Sequence, residues 1–183
     1  MITYYTTGDG LRYQTPDGTY LVLYSPDSLG LITDRTAADV ARWRELHDKG
    51  WSAMTAAERT EWSGEMKGRY SYTDMNRVES VVDALSQRLF EKGYLDTPLS
   101  VKTDWDVWDV PTVTDMRRYL NNISVLRGLV TVYPTTPEAP TINQPFDYER
   151  ANDIEQILID VDNSLTAIPQ SWIYAGEIKS GEV

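Results

Sequence analysis

The hydrophobic period of the chain changes near residue 30 and again near residue 169. Before residue 30, apolar residues form short β-branched and aromatic runs, Ile2 to Thr6 and Thr19-Tyr20-Leu21-Val22-Leu23-Tyr24, with turn pairs at Asp9-Gly10 and Asp17-Gly18. This punctuation predicts a small β-hairpin or short meander over residues 1–30, too small to be stable without neighbours. From Leu31 the spacing becomes helical. Thr36-Ala37-Ala38-Asp39 has the form of a capping box, with Val40, Trp43 and Leu46 following on one face until Gly50. Thr55-Ala56-Ala57-Glu58 repeats the start signal and opens a shorter helix to about Met66. The strongest stripe is Val78, Val81, Val82, Leu85 and Leu89, capped by Thr73 and ended by Gly93. Pro111 and Thr112 to Asp115 start another helix, with Met116, Tyr119, Leu120, Ile123, Leu126 and Val130 on its apolar side.

Pro134, Pro137, Pro140 and Pro145 predict an extended linker over residues 133–146 that wraps the surface. A last helix is expected from about Tyr148 to Thr166, with Ile154, Ile157, Leu158, Val161 and Leu165 inward and Pro169 at its end. The repeated Gly-Glu-aliphatic steps Gly176-Glu177-Ile178 and Gly181-Glu182-Val183, after Trp172-Ile173-Tyr174, predict a strand-like tail over 169–183. The predicted fold is therefore mainly α: a bundle of four or five helices over 31–168, with a small N-terminal β-hairpin and a short strand-like C-terminus.

Two helices echo each other. Tyr72-x3-Asn76-x-Val78-Glu79-x-Val81-Val82 aligns without gaps on Tyr148-x3-Asn152-x-Ile154-Glu155-x-Ile157-Leu158. A partial third copy lies between them, where Thr114-Asp115-Met116 repeats Thr73-Asp74-Met75 and Asn121-Asn122-Ile123 repeats the Asn-x-aliphatic step. Either a duplicated helix unit or convergence on common packing rules accounts for this, and both predict helices packed side by side.

Charge narrows the partners. The 183 residues carry a formal net charge of −11, which repels phosphate backbones and anionic lipid, so neither nucleic acid nor membrane is expected as a partner. The longest apolar runs are a few residues, short of a membrane span, and Met1 to Gly10 has neither the basic start nor the apolar stretch of a secretory signal. With no cysteine, disulfides, thiol nucleophiles and thiolate metal sites are excluded. The aromatic content, 6 Trp and 12 Tyr against 2 Phe, favours residues with a polar handle, which suit helix junctions and contact surfaces.

Candidate chemistry is sparse. The single histidine, His47, sits near the end of the first helix, where a cation suits the helix dipole, and it reads as a surface residue. No nucleophile elbow or phosphate loop occurs. Glu79 and Glu155 recur at matching positions, but a di-metal bundle would need Glu-x-x-His partners, and they read as carboxylates at the edge of the apolar stripe. Asp104-Trp105-Asp106-Val107-Trp108-Asp109 lacks the glycine and terminal glutamate of an EF-hand loop. No catalytic, metal or cofactor site is assigned, and no enzyme activity is expected. Asn76, Glu79, Asn122, Asn152 and Glu155 are read as polar contacts that set helix register, in preference to ligand groups. Trp105, Trp108, Trp172, Tyr174 and Ile178 are the candidate interface.

The strings Leu31-Ile32-Thr33-Asp34-Arg35-Thr36-x-x-Asp39-Val40 and Lys67-Gly68-x-Tyr70-x-Tyr72-Thr73-Asp74-x-Asn76-Arg77-Val78-Glu79 look like those of a known family. So do Lys102-Thr103-Asp104-Trp105, Pro111-Thr112, Tyr119-Leu120-x-Asn122-Ile123 and Ala151-Asn152-x-Ile154-Glu155. The ending, Trp172-x-Tyr174-x-Gly176-Glu177 and Gly181-Glu182, extends the likeness over residues 31 to 183. The chain thus resembles a family of small proteins encoded in phages and prophages of Gram-positive gut bacteria, virion components of the tail, baseplate or fibre. The resemblance implies a structural protein made in the host cytoplasm and incorporated in the virion, acting by self-association and docking to other virion proteins. It carries no catalytic residues over. A host-surface carbohydrate-binding module is the alternative, which would need a shallow cleft lined by Trp and Asp. A cell-wall hydrolase ranks behind both, since it would need a cleft with a perturbed carboxylate pair.

Overall fold

Four helices begin at the same device, a hydroxyl side chain followed three residues later by a carboxylate. The structure, a computed structural model, describes residues 3–4, 22–23, 30–64 and 66–177, with side chains described for 30–64 and 66–167. Helix α1 spans Ala37–Lys49, α2 Ala56–Ser63, α3 Tyr72–Glu91 and α4 Val113–Leu129. Thr36 and Asp39, Thr55 and Glu58, Ser71 and Asp74, and Thr112 and Asp115 close reciprocal capping boxes on their first turns. Each box satisfies amides that have no partner within the helix. The cap of α3 is Ser71, two residues before the expected Thr73, because Asp74 reaches back to the Ser71 amide.

Helix α5 spans Tyr148–Glu177, which corrects the strand-like tail expected from residue 169. Proline removes one helical hydrogen bond and crowds the carbonyl four residues back, but it does not forbid helix beyond it. No glycine follows Pro169 until Gly176, so the helical repeat resumes through Trp172 and Tyr174. Residues 178–183, with Ile178, lie outside the described residues. The hairpin expected over 1–30 lies there too, apart from the antiparallel pair β1 (Thr3–Tyr4) and β2 (Val22–Leu23), in which Thr3 faces Leu23.

Helices α3, α4 and α5 pack pairwise around one core. Val78, Val82, Leu85 and Leu89 of α3 meet Ile123 and Leu126 of α4 and Ile154, Ile157, Leu158 and Leu165 of α5, all fully buried. The predicted stripes of these three helices are the faces that meet. The shorter α1 and α2 form a helical hairpin to one side, joined through a 3-10 turn at Trp51–Ala53. Trp43 and Trp62 stack between them at 6.4 Å, and the His47 ring lies 5.1 Å from that of Trp43. Gly68 marks where the chain leaving this hairpin passes α1. A Cβ there would lie 2.0 Å from the Asp39 carbonyl oxygen, so no larger residue fits without moving the helix backbone. The proline-rich segment is held down at two points. Thr136 donates to Asp160 at 2.6 Å, and Arg127 Nε donates to the Pro137 carbonyl at 2.6 Å.

Candidate functional site

The echoing helices each hold an extended segment of chain through the same side-chain grip. On α5, Asn152 faces the backbone of Arg35: its Oδ1 accepts from the Arg35 amide at 3.1 Å and its Nδ2 donates to the Arg35 carbonyl at 2.9 Å. On α3, Asn76 does the same to Trp105, with both contacts at 2.8 Å. One helical turn along, Glu155 accepts from the Ile32 amide and Glu79 from the Lys102 amide, three residues before Arg35 and Trp105 respectively. The second oxygen of each carboxylate then accepts from the gripped side chain, Arg35 Nη2 at 2.7 Å in one case and Trp105 Nε1 at 3.0 Å in the other. An amide side chain pairs with a residue's N–H and C=O as a neighbouring strand would, so each Asn acts as a one-residue strand partner for an extended loop.

A second helix completes each grip. Arg77 of α3 reaches Glu155 at 3.3 Å, and Arg118 of α4 reaches Glu79, with Nη2 2.9 Å from Oε1. Arg77 follows Thr73-Asp74-Met75 by the same spacing as Arg118 follows Thr114-Asp115-Met116, so the partial third echo supplies the clamping arginine. Asp74 also accepts from Arg35, at 3.0 Å. Burial works against the Arg77 charge, but Glu155 and Asp74 beside it hold its pKa above the ordinary value. The hydrogen bond from Arg118 to Glu79 raises the Arg118 pKa against the pull of burial.

This geometry revises several expectations. Glu79, read as an edge carboxylate, is 1% exposed, and Glu155 is 0% exposed. The amides of Asn76, Asn152 and Asn122 bond to connecting segments, the last to the Ser100 carbonyl at 2.8 Å, where helix-to-helix register contacts were expected. The two glutamates do join helices, through the arginines. Trp105, expected at an interface, is a core residue at 5% exposure, because Glu79 takes its indole N–H and leaves the ring free to pack. Trp108 is 86% exposed. Trp172 and Tyr174 lie on α5, beyond the described side chains. Arg35 was missed among the polar candidates. The signal for it was present: Thr33-Asp34-Arg35 and Thr103-Asp104-Trp105 carry the same Thr-Asp step before the gripped residue.

Two surface features adjoin the grips. The first is a cleft of about 430 Å³ between α1 and the start of α5, lined by Val40, Trp43, Arg44, Tyr70, Phe146 and Tyr148 among others. Tyr70 anchors its floor. Its hydroxyl pairs with that of Tyr119, its ring lies 4.9 Å edge-on to Phe146, and the Arg35 guanidinium stands 5.3 Å over it. Burial pushes the Tyr70 and Tyr119 hydroxyls well above the usual phenol range, so both remain protonated donors. A wider depression of about 580 Å³ between α1 and α2 has the Arg42–Glu61 ion pair, at 2.7 Å, on its lining.

The second feature is the loop from Asp106 to Pro111. It separates the gripped Trp105 from the Thr112 cap, whereas Arg35 is followed directly by the Thr36 cap. The loop is a six-residue insertion into the second copy of a shared plan. Its turn is built by its own aspartates. Asp106 accepts from the Trp108 amide at 2.7 Å and Asp109 from the Asp106 amide at 3.2 Å. Val110, two residues after Trp108, is 84% exposed. Among the described residues there is no cluster of three His, Cys, Asp or Glu side chains arranged to hold a metal ion, and no helix long and apolar enough to cross a membrane. No protein-family model matches the chain, and the searches of curated proteins and of solved structures returned no match.

Proposed function

We propose that this chain is a structural component of a bacteriophage particle, in the tail, baseplate or fibre, and that it works by docking to copies of itself and to other virion proteins. The observation that carries the docking part of this reading is the Trp108 loop: a large aromatic residue held in the open by a preformed turn on an inserted segment. Exposing an indole forgoes a substantial hydrophobic gain, and exposed aromatic residues on ordered loops are a feature of contact surfaces. The virion part rests on the resemblance over residues 31 to 183. Many of the residues that carry that resemblance, among them Arg35, Asn76, Glu79, Trp105, Asn152 and Glu155, are the residues of the two grips. The buried carboxylates of the grips are fully engaged in holding loops, which leaves them unsuited to proton transfer with a substrate. Antibody raised to the purified protein should label phage particles banded from a producing culture, at one defined position in electron micrographs. Particles that never label, in preparations where the tail proteins are detected, would remove the virion reading.

The aromatic cleft favours a second reading, in which the chain binds host-surface carbohydrate. Trp43, Tyr70 and Tyr148, with Arg44 and Asp147 at hand, combine stacking faces with polar groups, as a sugar site needs. A saturable change in tryptophan fluorescence across a panel of cell-wall glycans is the expected result. A flat response to the whole panel eliminates it.

A further inference from the structure

We propose that the Trp108 loop of one copy docks into the cleft between α1 and α5 of a second copy of this chain, a head-to-tail contact that would give the docking function above its geometry. The inference rests on that reading and adds the two surfaces and the partner.

Three observations select a second copy as the occupant. The first is shape. Trp108 and Val110 project from a turn whose backbone is already set by Asp106 and Asp109, and the cleft offers about 430 Å³ walled by Trp43, Tyr70 and Phe146. That volume lies within the range of sites that bury a compact apolar group. A preformed knob loses little conformational freedom on docking.

The second observation is charge. The chain carries a net −11, yet among the described residues the cleft is lined by Arg35, Arg44 and Lys67 against the single carboxylate of Asp147. Lys67 already pairs with Asp34 and Arg35 is held within its grip, but Arg44 has no ion-pair partner among the described residues. Asp106, beside Trp108, has none either. An unpaired cation at the cleft and an unpaired carboxylate at the knob are complementary, and the contact would join them.

The third is the repeat plan. The Trp108 loop extends from the second gripped segment just before its helix cap, and the cleft opens beside the first gripped segment, at the start of α1. The first copy of the plan lacks the inserted loop, and its aromatic cleft is open where the second copy carries a projecting knob. One molecule therefore presents both halves of the contact on different surfaces. Contacts between unlike surfaces either close into rings or run on as filaments, the two forms from which tails and their baseplates are assembled.

The test uses the full-length chain in sedimentation equilibrium, with Trp108→Ala on the knob side and Arg44→Glu on the cleft side. Wild type is expected to associate as concentration rises, and each variant to dissociate at least tenfold more readily while keeping the wild-type far-UV circular dichroism. The two variants mixed should form a 1:1 dimer at concentrations where each alone is monomeric. Trp108→Ala retains an intact cleft and Arg44→Glu retains an intact knob, so only an unlike-surface contact restores association. As an independent readout, a photoreactive benzoylphenylalanine at position 108 should crosslink to a peptide containing Trp43 and Arg44 or one containing Phe146 to Tyr148. Wild type that stays monomeric, association unchanged by Trp108→Ala, a mixture that fails to dimerise, or crosslinks only to other surfaces would each overturn the contact. A monomeric chain whose cleft takes a cell-wall glycan would overturn it as well. Particle labelling by antibody with a monomeric protein would keep the virion reading and remove this contact alone.

Discussion

The two grips share one geometry and differ in the group they hold. On α5, Glu155 closes on a guanidinium, so the first grip buries a network of four charged groups, Arg35, Arg77, Asp74 and Glu155. On α3, Glu79 closes on the neutral indole of Trp105 and pairs with one cation, Arg118, at the more open rim, while the Lys102 ammonium stands 4.7 Å over the indole ring. The side chain of Arg35 is 2% exposed and that of Arg118 is 23% exposed. The comparison separates two ways of fixing a loop to a helix. In both, the Asn sets the position of the backbone through two hydrogen bonds. The charged version adds interactions that are strong while complete and costly once broken, because a buried ion without its partner has no water to turn to. The indole version packs into the core and needs only one acceptor.

Substitutions break the comparison in a definite order. Glu155→Ala leaves Arg35 buried with only Asp74 against it, and should destabilise by about 3–5 kcal/mol in urea unfolding. Glu79→Ala strands an indole N–H and the Lys102 amide, while Arg118 can turn to water at the rim. A loss of about 2–3 kcal/mol is expected from these unmade bonds. Equal losses at the two glutamates would show that the charge of the gripped side chain is immaterial. Asn152→Ala and Asn76→Ala each delete the same pair of backbone contacts and should cost about 1–3 kcal/mol apiece, near enough to equal. Their signature is faster amide exchange at Arg35 and Trp105 respectively. Unequal exchange would mean that the two segments are held by something other than the shared amide.

The smallest effect concerns Asp162 of α5, whose one ion-pair partner among the described residues is Arg88, and it sharpens the contrast with the fully partnered grip carboxylates. Burial raises the Asp162 pKa against the opposing pull of Arg88. The folded chain therefore takes up this proton more readily than the unfolded one between the ordinary carboxylate value and the raised one. Stability from this group is present at the acidic side of that window and falls as pH rises through the folded pKa. Against Asp162→Asn as reference, wild type should gain relative stability on acidification from neutral pH. A difference that stays flat with pH would remove the effect of burial.

The helix starts were legible because capping boxes are local: each needs only a hydroxyl and a carboxylate three residues apart. The stripes of α3, α4 and α5 were legible because the helical period alone brings Val78, Val82 and Leu85, or Ile154, Leu158 and Leu165, onto one face. The echo of Tyr72 to Val82 in Tyr148 to Leu158 was visible too, though not its purpose. Asn76 and Asn152 read as helix contacts because their partners, Trp105 and Arg35, stand 29 and 117 residues away. The C-terminal tail was misread for a related reason. Proline and β-branched residues lower helix propensity, but one proline stops a helix only when nothing beyond it favours continuing.

Tryptophans 105 and 108 show where local information stops. Both adjoin aspartate in the run Asp104 to Asp109, and by local pattern either would serve as a contact residue. Trp105 is in the core and Trp108 is in solvent. The sequence by itself determined most of the helix starts, the inward stripes, the repeated grip motif and the acidic charge, since each depends on neighbours within a few residues. The tertiary structure alone decided which tryptophan is free to dock, because the choice rests on Glu79. That carboxylate lies far from Trp105 along the chain and is brought beside its indole N–H only when α3 and the loop before α4 are packed together.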